Sequence, residues 1–376
     1  MTRPTEITID LNALIANCHY AQSLSPDSQT VAVVKADAYG HGAAEIAKAL
    51  EQTVSMFAVS SLEEGIELRQ QGITAPILLL EGCFSLEELF IACQYGFSVV
   101  MHNLYQCQML ENLDAKQQIA IWLKVDTGMH RLGFLPEQVM DIYARLKGVK
   151  QVKNVVLMTH LSSADETNNH FTNQQIEKFA NCHKQLESHF SIQIETSIAN
   201  SAGLKAWPIA RGTWNRPGIM LYGVSPFMPT NKLSVDNLPE HSMQQQLLPV
   251  MAFMSKVIAL RNVPKGETVG YGNTWVASKD SVVATIAAGY GDGYPRTAKL
   301  GTPVLVNRQH AKLCGRVSMD MITVDVTGLT GIEIDSEVEL WGKNLLVNEV
   351  ASWADTIGYE LVTRMPKRTR RRTINS

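Results

Sequence analysis

The chain has 376 residues, 45% hydrophobic and 18% charged, with a formal net charge of -3. This composition fits a soluble globular protein of two domains and excludes extensive disorder or a fibre. The near-balanced charge excludes a general attraction to nucleic acid or to an acidic membrane surface.

The opening "MTRPTEITIDLNALIANCHYA" lacks the unbroken apolar core of a signal peptide, and its "TEITID" alternates as a strand that either domain could take. Next come "VAVVK" (31–35) and a helix with apolar positions Ala43, Ile46, Ala47 and Leu50. "FAVS" (57–60) precedes a helix in which Ser61 and Glu64 make a capping-box pattern and Gly72 supplies a C-terminal stop. The alternation continues through "PILLL" (76–80), "FSVV" (97–100), "IAIWLKVD" (119–126), "NVVLMTH" (154–160), "IQIETSIAN" (192–200) and "GIMLYG" (218–223). Eight apolar strands separated by helices predict parallel βα units closed into a (β/α)8 barrel over 11–235, with an open doubly wound sheet as the alternative. Lys35, Lys124, His160 and Asn200 fall at strand ends, where such a barrel collects its functional groups.

A segment with Pro226, Pro229 and Pro239 then marks a boundary. Beyond it "VMAFMSKVIAL" (250–260), "SVVATIAA" (281–288), "TPVLV" (302–306), "MITVDV" (321–326) and "EVELWG" (337–342) predict a mainly β domain over 236–376, to which residues 1–10 could add a strand. A short helix over "VNEVASWADTIG" follows, and the terminal "KRTRRR" (367–372) reads as a solvated tail with no nucleic-acid partner. Six cysteines without a C-x-x-C pair read as reduced core thiols. No run approaches the about 18 apolar residues of a membrane span, so a cytoplasmic protein with no membrane partner is expected. "GYGDGY" lacks dinucleotide-loop spacing, and the ten histidines show no metal-ligand pattern.

Lys35 ends the run "VAVV", and alternation places it on the face of Val31 and Val33, toward the barrel interior. An unpaired ammonium is costly there, and desolvation lowers a lysine's pKa toward imine chemistry. On these residues alone an imine-forming amine and a buried ion pair stay equally open. The stretch "AVVKADAYGHG" resembles the pyridoxal-phosphate attachment segment of alanine racemases. "KVDTGMHRLGF", "THLSSAD", "ANSAG", "RPGIMLYG", "VGYGNTW", "AAGYGDGYPR", "GRVSMDM" and "GYELVTR" resemble the family's later segments in the same order, from residue 31 to 364.

The resemblance implies a racemase that interconverts L- and D-alanine, supplying D-alanine for peptidoglycan or catabolism, in a cofactor-binding barrel followed by a β domain. It implies that Lys35 carries pyridoxal 5'-phosphate and acts as acid and base on one face of the substrate Cα, with Tyr271 opposite. His160 would link Tyr271 to Arg216, and Arg216 would face the pyridine nitrogen, where a guanidinium cannot readily give up its proton. Tyr39, Ser201, Gly218, Ile219 and Tyr359 match positions that hold the phosphate, although Ser201 also reads as a helix cap. Arg131 matches the contact to the cofactor's phenolic oxygen and the substrate carboxylate, next to a Lys124 often carbamylated in the family. Met319 and Asp320 lie near that carboxylate, with Ser318 where many relatives have cysteine. Tyr290, with Arg296, Arg316 and Asp165, lines the substrate entrance, and Tyr290 and Tyr359 crowd the side chain to the size of a methyl. The family's Tyr271, Met319 and Asp320 come from the opposite chain of a homodimer. The competing readings are a racemase of broader specificity, a related decarboxylase, and a non-catalytic pyridoxal-phosphate homeostasis protein; the last would lack the β domain.

Overall fold

Strands that are apolar at nearly every position have no face to offer to water, and the larger part of this fold is assembled from them. The computed structural model describes residues 3–114, 116, 118–227 and 247–375. The chain forms two compact units, one of Cys18–Leu221 and one of Met1–Asn17 with Tyr222–Ser376. The sequence placed the barrel at 11–235. The helix Leu11–Ser23 runs through the observed break, and the 235/236 boundary lies outside the described residues.

Strand β1 (Glu6–Asp10) belongs to the second unit. The first unit is an α/β barrel of eight parallel strands: β2 (Gln29–Val33), β3 (Met56–Val59), β4 (Ile77–Leu79), β5 (Ser98–Met101), β6 (Ile119–Lys124), β7 (Val152–Met158), β8 (Thr196–Ser197) and β9 (Trp214–Asn215). The sheet runs β8-β7-β6-β5-β4-β3-β2-β9. The ring closes between β9 and β8, where Ser197 Oγ donates to the Trp214 carbonyl (2.9 Å) and the Arg216 amide donates to the Ala199 carbonyl (2.9 Å). Residues two apart point inward: Val31, Val33, Met56, Ala58, Leu78, Val100, Trp122, Val156 and Met158 form the interior, with Tyr39, Leu80 and Trp214 packed on it.

Three local expectations are corrected. "GIMLYG" is not the eighth strand. Pro217 has no N–H for a ladder, residues Ile219–Tyr222 form a buried 3-10 turn, and Trp214–Asn215 takes the strand position. The seventh strand shrinks to two residues. Ser61 opens the helix Leu62–Gln70 without a side-chain cap: its side chain bonds the Glu63 carboxylate, and Glu64 accepts from the Ser60 and Ala36 amides (both 2.7 Å). Gly72, at φ +90°, ends that helix as expected, its amide bonded to the Arg69 carbonyl.

The second unit is antiparallel except at one edge. Its strands are β10 (Met251–Val263), β11 (Thr268–Val269), β12 (Trp275–Val276), β13 (Ser281–Ile286), β14 (Pro303–Val306), β15 (Gln309–Leu313), β16 (Ile322–Asp325), β17 (Glu337–Trp341) and β18 (Arg370–Ile374). The order β13-β16-β15-β14-β17-β10 closes on itself because the far half of β10 pairs β13 after an irregularity at Val257/Ala259. Strand β1 pairs antiparallel with β10 and parallel with β18, Glu6 opposite Arg370. Residues 370–372 of the basic run thus belong to an edge strand rather than a loose tail, although their side chains stay exposed. All six cysteines are buried free thiols, held above their ordinary pKa by that burial. No helix among the described residues is long and apolar enough to cross a membrane.

Candidate active site

Strand β2 stops at Val33, two residues earlier than the alternation suggested, because Val34 (φ -120°, ψ 17°) leaves the extended conformation. Lys35 therefore begins a turn. Ala36, Asp37, Ala38 and Tyr39 follow with φ between 52° and 54°, one turn of left-handed helix. Each such L-residue costs about 1–2 kcal/mol, so the turn persists because its surroundings hold it. Glu64 receives the Ala36 amide, and the Asp37 carboxylate accepts from the Ala43 amide (2.8 Å). The turn brings Tyr39 back against the barrel interior, four residues after the lysine.

Arg216 follows β9 and is 4% exposed. Its Nη1 donates to Ser197 Oγ (2.5 Å), and its Nη2 to the Thr159 (2.8 Å) and Ile198 (3.3 Å) carbonyls. Burial pulls its pKa down to about 10, which leaves a cation at neutral pH. Lys124, at the end of β6, is 8% exposed. Burial first, then the charges of Arg216, Arg131 and Lys35, lower it to about 8, while Asp126 acts in the opposite sense. Burial and the same cations with Lys124 push His160 well below the ordinary histidine value, so its ring is neutral. The mouth of the barrel thus gathers four cationic side chains around a neutral imidazole. An anionic ligand is the natural complement to that field.

A second polar cluster is built by the segments after β8 and β9 and the left-handed turn. Asn200, not Ser201, caps the helix Ser201–Ala206, its Oδ1 accepting from the Gly203 amide (2.9 Å). That frees Ser201, whose Oγ accepts from the Gly218 (2.9 Å) and Met220 (3.3 Å) amides and keeps its own hydrogen to donate. A methyl group at Gly218 would lie 2.7 Å from the Tyr39 hydroxyl oxygen. Any larger residue must displace the phenol or the turn, and Ile219 follows on the same turn. Burial raises Tyr39 to about 12, so its phenol stays a neutral donor.

The second unit holds the other expected residues. Tyr271 stands in the turn between β11 and β12 and is 70% exposed, with the Arg316 guanidinium against the next residue, Gly272. Tyr290 (42% exposed) and Met319 (53% exposed) sit on two loops joined by backbone bonds, Tyr290 N to Ser318 O (3.0 Å) and Gly291 N to Met319 O (2.8 Å). Asp320 is paired with Arg368 (2.6 Å), which holds its carboxyl below the usual range. Tyr359 lies half-buried in the helix Gly358–Thr363; Arg296 and Asp165 are exposed. Sequence reasoning missed Ser197 and the Thr159 carbonyl as the seat of Arg216, and Glu64 as the anchor of the lysine turn. Only position at a strand end could have flagged the first pair.

The family model described as alanine racemase, N-terminal domain, matches residues 9–226, and that for the C-terminal domain matches residues 250–373. An alanine racemase of Pseudoalteromonas atlantica is 50% identical over 385 aligned positions, covering 100% of both chains. The solved structure of a biosynthetic alanine racemase from Pseudomonas aeruginosa aligns with TM-score 0.91 at 41% identity, covering 99% of this chain and 100% of that one. An alanine racemase from Bartonella henselae, solved with covalently bound pyridoxal phosphate, aligns with TM-score 0.86 at 28% identity, covering 99% and 100%.

Proposed function

The chain belongs to the alanine racemase family, and on that premise we propose that it interconverts L- and D-alanine by a two-base mechanism, with pyridoxal phosphate held at the mouth of its barrel. The observation that carries this reading is the cationic field of Lys35, Lys124, Arg131 and Arg216 acting on His160 at the barrel mouth, together with the close approach of Gly218 to the Tyr39 hydroxyl. Those groups suit a phosphorylated, anionic cofactor. When bound, the cofactor draws electrons from the substrate Cα and makes its proton acidic.

Lys35 would hold the cofactor and move the proton on one face of Cα. Ser201, with one hydrogen to give, the Ile219 amide beside the Gly218 amide that seats Ser201, the neutral phenol of Tyr39 and the hydroxyl of Tyr359 would hold the phosphate. Arg216 would face the pyridine nitrogen, fixed by two carbonyls and Ser197 so that it cannot turn away. A guanidinium there donates and gives up no proton, which limits how far charge spreads from Cα and favours return of the proton to Cα. His160, neutral, would relay between Arg216 and Tyr271. Tyr271 would exchange the proton on the opposite face, and Arg131 with the Met319 amide would receive the substrate carboxylate. Tyr290 would limit the substrate side chain.

Tyr271 is largely exposed on its turn, which suits a residue that completes the site of a second chain. We assign the active form as a homodimer with shared sites, in the cytoplasm, where buried reduced thiols are stable. Mixing Lys35→Ala and Tyr271→Ala chains under subunit exchange tests the arrangement. Hybrids carry one intact site, so about a quarter of the parental activity per chain should return from two inactive parents. No recovery after demonstrated exchange contradicts it.

A further inference from the structure

The basic run near the C-terminus has a partner that its composition does not reveal. Asp292, in the loop "GYGDGY", is a 1% exposed carboxylate. Its Oδ1 accepts from Arg368 Nε (2.9 Å), and its Oδ2 accepts from Arg3 Nη2 (2.8 Å) and from the Gly289 amide (2.9 Å). Its backbone carbonyl accepts from Thr369 Oγ1 (3.0 Å). The same Arg368 guanidinium reaches Asp320 Oδ1 (2.6 Å), and Arg3 also donates to the Asp320 carbonyl. Two arginines from opposite ends of the chain thus balance two carboxylates, one on each of the loops that carry Tyr290 and Met319. The fit leaves no slack: a methyl at Gly291 would lie 2.8 Å from Arg368 Nη1, and one at Gly289 would lie 2.3 Å from the Ser318 carbonyl.

We propose that Arg368, with Arg3, is a positioning residue for alanine binding: it locks the 318–321 turn to the 289–294 loop, so that the Met319 amide is presented at a fixed place. The inference rests on the assignment of Met319 to the substrate carboxylate. A planar guanidinium can serve Asp292 and Asp320 together, which a single ammonium cannot do with the same geometry. Asp320 acts through this pair, since a carboxylate already engaged by arginine offers nothing attractive to an anionic substrate group. The Met319 amide donates to no group among the described residues, whereas the Met319 carbonyl is held by Gly291. Strand β18, beginning two residues after Arg368 and paired with β1, holds both arginines at the clasp.

Steady-state kinetics of the cofactor-loaded protein test this with Arg368→Gln, Arg368→Lys, Arg3→Gln and Asp320→Asn. Loosening one binding group that acts equally in ground and transition states raises KM and spares kcat. Arg368→Gln should raise KM for alanine about tenfold with kcat within about threefold and bound cofactor unchanged. Arg368→Lys should restore part of the loss, and Arg368→Gln with Asp320→Asn should be no worse than the poorer single variant. A parental KM in folded Arg368→Gln, or fully additive effects, overturns the proposal. If Arg368→Gln fails to fold, Arg368→Lys and Arg3→Gln decide it by the same split. The underlying assignment fails separately: racemisation that survives Lys35→Ala or Tyr271→Phe contradicts the site, whatever Arg368 does.

Discussion

A methyl group added at Gly218 would meet the Tyr39 hydroxyl oxygen at 2.7 Å and Val33 Cβ at 3.5 Å. Gly218→Ala must therefore displace the phenol or the turn that bears the Gly218 and Ile219 amides. We expect pyridoxal-phosphate affinity to fall at least about tenfold in a titration, with unfolding free energy lowered by only about 1–3 kcal/mol. Unchanged affinity would remove this glycine from the cofactor cradle. Lys124 makes a pH-dependent prediction. Its folded pKa of about 8 lies below the ordinary lysine value, so the unfolded chain binds more protons between the two. The penalty is present in full below about pH 8 and fades as pH rises toward about 10.4, so stability rises with pH across that window. Lys124→Met should stabilise the cofactor-free protein at pH 7 by on the order of 3 kcal/mol, and the gain should shrink by pH 10 in urea unfolding. An equal gain at both pH values would show that packing, not charge, is responsible. At this scale the sequence made the residue types legible but not their surroundings. Burial alone left Lys35 open between an imine-forming amine and an ion pair. Arg216 showed nothing of its seat, because the carbonyls that hold it, Thr159 and Ile198, lie 57 and 18 residues away in the chain.

The left-handed turn after β2 is the element least visible in the sequence. Ala-Asp-Ala-Tyr is compatible with an ordinary right-handed turn, and nothing local selects positive φ. The choice is made by contacts from elsewhere: Glu64 on the Ala36 amide, and the interior packing of Tyr39. Ala36 is exposed, which isolates the backbone term. Ala36→Gly removes about 1–2 kcal/mol of left-handed strain and adds somewhat less in unfolded-chain entropy, for a net gain of about 0.5 kcal/mol. Ala36→Val should lose more than about 1 kcal/mol, since a β-branched residue suits that conformation worst. The opposite ranking in chemical unfolding would mean that the turn is not held against strain. The eighth strand shows the same limit from another side. An apolar run reads equally as strand or as buried turn, and Pro217 decided the matter by withholding a ladder donor.

For the whole chain, the alternation of apolar strands and helices was enough to read a parallel barrel and then a β domain, since burial on both faces leaves a compositional trace. The joining of the chain's ends left no such trace. Pairing Glu6 with Arg370 is a non-local contact, and "KRTRRR" reports charge without saying what receives it. That one strand edge and the clasp at Asp292 tie both termini to loops that the proposed mechanism uses. Racemisation at this site requires two opposed bases acting on one Cα. The direct measurement is incubation of the cofactor-loaded protein with L-alanine in deuterated water, following Cα exchange and D-alanine together. Two bases on opposite faces predict D-alanine that carries solvent deuterium at Cα as it forms, with Tyr271→Phe losing inversion far more than exchange. Exchange without inversion in the parent protein, or inversion that retains the original proton throughout, would contradict the assignment of Lys35 and Tyr271.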